Sequence, residues 1–224
     1  MSERISFYVN KYIEGDPTIK VGLQRGLITS RILTKHIIEE EREFKGSFDD
    51  VRNAVRKYAD ETVPLFNLKN TYTAFKDSYI DVRSKLACIE ISRNTETKKI
   101  LELVSKSTTN EDFVRLSNNE KSFLLIIREE DTDKITKLIK KDYILSVKSD
   151  ISSITMHLDP SVKYTPGVYF LIMGQISFSQ INVYDVSSYK SEFTLYVDQK
   201  DGAKVHELLH NISEYQKKFC SPKR

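Results

Sequence analysis

The stretch SFLLIIREEDTDKITKLIK at 122–140 lies on EFTLYVDQKDGAKVHELLH at 192–210, at an offset of 70 residues. Phe123 falls on Phe193, Leu125 on Leu195, Asp131 on Asp201, Lys134 on Lys204 and Leu138 on Leu208. Few residues are identical, but a strand pattern, a turn and a helix pattern coincide in register. A chain with such a repeat builds one structural unit twice.

The elements around the repeat define that unit. Residues 86–91 (LACIEI) read as a strand and 95–106 as a helix with Ile100, Leu101 and Val104 on one face. Residues 113–116 and 122–127 are strand-like, parted by the turn cluster Ser117-Asn118-Asn119-Glu120. A helix at 131–140 turns Ile135, Leu138 and Ile139 inward, and 143–147 is a further strand. The order βαββαβ is that of the ferredoxin-like unit. The second copy supplies a strand at 151–158, a helix at 166–177, strands at 182–187 and 192–197, and a helix at 201–212. Its fourth strand is unclear: residues 215–219 alternate poorly, and a strand and an extension of the helix are both open there.

The first 80 residues follow a helical period. Ile5, Tyr8, Val9 and Tyr12 share a face, and Asp16-Pro17 gives an N-cap and a first helical proline. That second helix ends at Gly26. A third starts at Thr29 or Ser30, with Ile32, Leu33 and His36 or Ile37 as its apolar positions, and runs into an acidic stretch at 39–43. Ser47 and Asp50 form a capping-box-like start for a fourth, carrying Val51, Ala54, Val55 and Tyr58. Residues 62–80 fit no single pattern. The fold class is thus α+β, with a helical domain at 1–80 and two tandem ferredoxin-like units at 81–149 and 150–224.

Composition narrows the function. Residues of the AVILMFWYC set make up 39% and charged residues 30%, which suits a globular core. No apolar run reaches the roughly 18–20 residues of a membrane span, and the N-terminus lacks a leader-like apolar stretch. A cytoplasmic protein without membrane contact is expected. Cys88 and Cys220 are too few for a disulfide framework or a cysteine zinc site. Seven glycines form no GxGxxG or GxxxxGK[ST] motif, so the common nucleotide cradles are absent.

The stretches YTPGVYFLIMGQI and QINVYDVSS, between strand and helix and entering the next strand of the second copy, carry a resemblance. Residues 151–212 resemble an ACT domain of the aspartate-kinase type; 83–149 are ACT-like in pattern only, with Arg93-Asn94-Thr95-Glu96 in place of the Pro-Gly turn. The whole layout also resembles a group of archaeal proteins described as predicted regulators of amino-acid metabolism. ACT domains bind free amino acids and regulate enzymes or transcription factors. The resemblance implies an effector pocket at Thr165, Pro166, Gly167 and Val168, with Asn182 entering the neighbouring strand. Thr165 as cap, Pro166 as first helical residue and Gly167 as a point of close approach would aim first-turn N–H groups at a ligand carboxylate. Asp159 and Lys163 in the preceding loop are candidates for selecting a charged side chain. Eighty residues leave no room for a kinase domain, so the resemblance carries sensing and not phosphoryl transfer. No catalytic residue and no cofactor is assigned.

Two further patterns bear on function. Lys20, Arg25, Arg31 and Lys35 lie in 17–38, which holds no acidic residue. Two helices joined at 26–28 suit a helix-turn-helix that presents Ser30, Arg31, Thr34 and Lys35 to DNA, with Lys20 and Arg25 on phosphates. The competing reading is a helical bundle with a solvated basic face. His206-Glu207-Leu208-Leu209-His210 matches HExxH, but Val205, Leu208, Leu209 and Ile212 make it a sheet-packing helix, so neither metal nor hydrolase chemistry is expected. The expectation is an amino-acid-responsive transcriptional regulator of amino-acid metabolism, a homodimer with a free amino acid as effector and DNA as candidate partner. The alternative is a non-catalytic regulatory subunit that binds a metabolic enzyme.

Overall fold

The computed structural model describes residues 2–40, 46–61, 68–94, 102 and 115–220. The chain divides into two compact units, 1–67 and 68–224. The expected break near residue 80 therefore falls at Asn67/Leu68.

The N-terminal unit contains α1 (Ser2–Gly15), α2 (Pro17–Gln24), α3 (Ser30–Glu40) and α4 (Phe48–Glu61). Its local signals act as read. Asp16 caps α2 by accepting from the amides of Thr18 and Ile19, and Pro17 opens the helix. Gly26 terminates it at φ 70°, and the amides of Leu27 and Ile28 both turn back to the Gly22 carbonyl. Thr29 caps α3 through the Ile32 amide, and Ser47 caps α4 by accepting from the Asp50 amide while its hydroxyl donates to the Asp50 carboxylate. Ile5, Val9 and Ile13 of α1 meet Leu33, Ile37, Val51 and Val55 in one core. Ile32, expected inside, is exposed; the buried stripe of α3 is Leu33, Thr34 and Ile37.

The C-terminal unit holds α5 (Leu68–Thr73), β1 (Tyr79–Ser92), β2 (Arg115–Asn118), β3 (Ser122–Arg128), α6 (Thr132–Lys137), β4 (Ile144–His157), α7 (Val168–Phe178), β5 (Val183–Tyr189), β6 (Glu192–Asp198) and α8 (Gly202–Cys220). The helix expected at 95–106 lies outside the described residues except for Glu102. The six strands form one sheet in the order β2-β3-β1-β4-β6-β5, antiparallel throughout.

Both copies of the repeat are present, but the chain does not lay them out in simple tandem. β1 and β4 each run 14 residues and each serves both copies. The second half of β1 pairs with β3, and the first half of β4 completes that lobe. The second half of β4 pairs with β6, and the fourth-strand place beside it is taken by Tyr79–Arg83, the start of β1. Residues 215–219 belong to α8. The missing fourth strand of the second copy thus comes from ahead of the first. The expected division at 149/150 falls within β4. Both long strands kink where they pass between lobes: Lys85 and Asp150 have φ of 56° and 57°, and the ladder shifts register between Arg83 and Leu86.

Each lobe packs its own helices. Ile89, Ile91, Leu125 and Ile127 meet Ile135 and Ile139 in the first. Ile154, Met156, Leu195 and Val197 meet α7 and α8 in the second, with Ala74 and Phe75 closing the end. Side chains alternate along a strand, so Leu86, Cys88, Ile126, Ile151 and Tyr196 point the other way. They form a third cluster on the reverse face. The sheet curls around it until its two edge strands meet. Arg115 on β2 pairs with Asp185 on β5 at 2.9 Å and donates to the Ser187 hydroxyl at 2.7 Å.

Candidate functional site

The loop from Leu158 to Gly167 leaves the end of β4 and enters α7. Asp159 accepts from the Ser161 amide and starts a 3-10 turn at Pro160–Tyr164. The Ser161 hydroxyl first, and that amide second, hold its carboxyl below the usual range. Asp159 is therefore spent on the loop's own turn. Thr165 does not cap α7: its hydroxyl donates back to the Ser161 carbonyl at 2.8 Å. Pro166 lies in the turn before the helix, and Gly167, at φ 90°, is the N-cap position. The expected order of cap and first residue is thus shifted by two, because the left-handed bend at Gly167 separates the 3-10 turn from the helix. No side chain caps α7, so its first-turn N–H groups carry no partner from a cap.

Around this bend is a cleft of about 430 Å³, lined by Val162–Phe170 and including Lys163 and Tyr164. Tyr164 is 87% exposed. One wall is fixed by the Tyr169 ring, which stacks on Phe193 at 5.0 Å and bonds the Ser188 hydroxyl through its own. The floor is fixed from α5: Thr71 donates to the Pro166 carbonyl at 2.9 Å, and the Asp159 amide donates to the Ala74 carbonyl.

Asn182 is not in this cleft. It follows α7, whose 11 residues span about 16 Å at 1.5 Å per residue. The strand register agrees: Val183 lies level with Val197 and Ser152, whereas the 158–167 loop leaves from His157, level with Glu192. Thr165–Val168 and Asn182 therefore occupy opposite ends of the lobe. The structure separates the two halves of the expected pocket, because β4 and β5 run parallel, both antiparallel to β6, and the helix between them carries the chain back to the opposite end of the lobe before the second strand starts.

A second cleft, of about 740 Å³, lies on the seam between the lobes. The kinked segments of β1 and β4 form it with the turns after β3 and β6. Arg128 there is paired with Glu130 at 2.8 Å and Asp131 at 3.2 Å. Sequence reading missed this place, since its geometry arises only when two distant kinks come together.

Among the residues expected on DNA, Ser30 is half-buried and Arg25, Arg31 and Lys35 are exposed, Lys35 standing 3.6 Å from Glu39. Thr34 is fully buried and bonds the Ser30 carbonyl, and Lys20 is bound to Glu14 with its side chain 14% exposed. These two do not face outward; Thr34 falls on the core stripe of α3, and Lys20 is drawn to a carboxylate that also accepts from Tyr58. His206 and His210 are exposed on α8 with parallel rings 6.3 Å apart, and Glu207 is paired with Lys204. No group of three or more potential metal ligands occurs among the described residues. No helix among them is long and apolar enough to cross a membrane.

No protein-family model matches the chain, and none of the curated proteins matches its sequence. Solved structures do resemble it. The aspartokinase alpha and beta subunits align at a TM-score of 0.51 with 15% identity, over 60% of this chain and 97% of that one. The ligand-free regulatory subunit of aspartate kinase from Thermus thermophilus aligns at 0.50 with 8% identity, over 59% and 95%. The aspartate kinase from Synechocystis aligns at 0.52 with 13% identity over 75% of this chain, which spans only 31% of that enzyme. The likeness is one of fold. The chain carries the ACT-type architecture of aspartate kinase regulatory subunits, as its sequence resemblance implies.

Proposed function

We propose that the protein is a non-catalytic regulator that responds to a free amino acid bound at the bend before α7. The observation that carries this reading is the open cleft around Gly167, into which an uncapped helix start and Lys163 bring positive potential for a carboxylate. Thr71 connects the cleft to output. It lies on α5, the first element after the inter-unit boundary, and its bond to Pro166 ties that segment to the ligand turn. A ligand that favours one arrangement of the turn biases α5 by its differential affinity for the two arrangements.

The preferred output is regulation in trans of a metabolic enzyme, because the fold is that of regulatory subunits. A homodimer and a cytoplasmic setting go with this reading. DNA binding through Arg25, Arg31 and Lys35, beside Ser30, is a second reading, supported by their exposure around the start of α3. With three phosphates neutralised, the log–log salt slope should be about −2 to −3. Retention on DNA that is absent at low salt removes that output and leaves the enzyme partner.

The direct test is a melting series with each proteinogenic amino acid at millimolar concentration. A ligand at 100 times its dissociation constant stabilises the folded state by about 2.7 kcal/mol, a clear rise in Tm. If no amino acid moves the melt, the sensor reading fails.

A further inference from the structure

We propose that the seam cleft is a separate binding site for a small zwitterion, one carrying both an ammonium and a carboxylate. Its walls come from both lobes. Lys85 and Asp150 are the kinked residues of β1 and β4, Glu129 belongs to the turn after β3, and Gln199 to the turn after β6. Leu86, fully buried, closes the apolar side. The volume of about 740 Å³ falls in the range of small-molecule sites.

The charges decide the ligand class. Arg128 and Glu130 satisfy one another. The Lys85 ammonium and the Glu129 and Asp150 carboxylates make no ion pair or side-chain hydrogen bond among the described residues. One cation and two anions thus line the same cleft without partners among the described residues, Lys85 and Asp150 exposed and Glu129 half-buried. A purely anionic ligand meets the two carboxylates, and a purely cationic one meets Lys85. A molecule with both groups satisfies each side by charge-assisted bonds.

The backbone also points to a built site. Non-glycine residues at positive φ are uncommon and are sustained by their surroundings. Here two lie on adjacent strands, on either side of the Leu86–Ile151 pair. The Lys85 kink is fixed by its amide donating to Gln199 Oε1 at 2.9 Å, which ties β1 to the turn of the other lobe. Ser152 and Ser84 add a hydroxyl bond at 3.1 Å across the same seam. A ligand seated here touches both lobes at the point where they exchange strands.

The test uses the ¹⁵N-labelled full chain titrated with each proteinogenic amino acid. Binding at the seam moves the amides of Lys85, Asp150 and Gln199; binding at the bend moves Gly167, Val168 and Tyr169. Lys85→Asn removes the charge while tolerating the left-handed backbone, and Glu129→Gln removes the opposite sign. Each is expected to weaken seam binding about tenfold or more and to leave the shifts at Gly167 unchanged. Shifts confined to 167–169 overturn the seam site and leave the proposed function standing. Shifts only at the seam do the reverse, and shifts at neither overturn both. Seam shifts that persist undiminished in both variants overturn charge recognition there.

Discussion

Gly167 illustrates how much one residue decides. At φ 90° the position suits glycine, and a side chain there carries strain of about 1–3 kcal/mol. Gly167→Val is therefore expected to lower stability in urea unfolding by about that amount as well as to block the cleft. Gly167→Asn, better suited to a left-handed backbone, should lose less stability and is the sounder probe of binding. Equal losses for the two would show that the bend is not what holds α7 in place. Cys88 shows a different single-residue effect. Burial first, and the Asp185 charge second, push its thiol up to about 11. The folded state thus holds its proton where the unfolded chain, near about 8.5, gives it up. The resulting stabilisation is complete below the unfolded value and is lost as pH rises through about 11. The unfolding free energy should fall over that window, and Cys88→Ala should lose that part of the slope. Tyr196, pushed up to about 12 by burial, adds a fall of the same sign at higher pH, which the variant retains. Alkylation of Cys88 at neutral pH should require unfolding.

Among elements, those with local punctuation were legible and those that depend on distant partners were not. The caps at Asp16, Thr29 and Ser47 and the stop at Gly26 act within four residues, so sequence reading located α2, α3 and α4. Asp16→Ala should cost about 1 kcal/mol of N-terminal-unit stability, measured by chemical denaturation. β1 was half missed: its second half carries the run from Leu86 to Ile91, but in Tyr79–Arg83 only Ile80 is part of the apolar core and most neighbours are exposed. β4 was read as two strands because Lys148-Ser149-Asp150 looks like a polar break, whereas it is a kink in one continuous ladder. The candidate site suffered in the same way. The bend at Gly167 is written in the residues, but Asn182 lies a full helix length away, a fact of topology. The clasp between β2 and β5 left no trace in sequence. Arg115, whose side chain is 26% exposed, and Asp185, at 19%, lie between the surface and buried regimes, so breaking the pair should cost about 1–3 kcal/mol. A double-mutant cycle of Arg115→Ala with Asp185→Ala measures it. Coupling near zero would mean that the curl of the sheet is held by the reverse-face cluster alone.

At the scale of the whole molecule, strand exchange makes the two lobes inseparable. A fragment of 150–224 contains the β4, β5, β6, α7 and α8 segments of its lobe, yet it lacks Tyr79–Arg83, the strand that pairs with residues 153–157. It also lacks Ala74 and Phe75, both essentially inaccessible in the core of that lobe. Removing them exposes a row of backbone donors and acceptors on β4 together with an aromatic-sized gap, and deleting a buried Phe alone costs about 3–5 kcal/mol. That loss is a large part of the roughly 5–15 kcal/mol by which a domain is stable. Residues 150–224 are therefore expected to lack cooperative thermal unfolding and amide dispersion, whereas 68–224, a compact unit with both lobes intact, should show both. A permuted chain provides the control. Ser78 and Ser213 bond at 2.7 Å and the rings of Tyr72 and Tyr215 lie 4.7 Å apart, so the returning segment runs along α8. Residues 68–85 joined after the C-terminus by a flexible Gly/Ser linker can reach their native place. The joined chain should regain the cooperative transition, and Phe75→Ala within it should remove most of the gain. If 150–224 folds alone with the stability of the permuted chain, the borrowed strand is an ornament of the sheet and the lobes are independent after all.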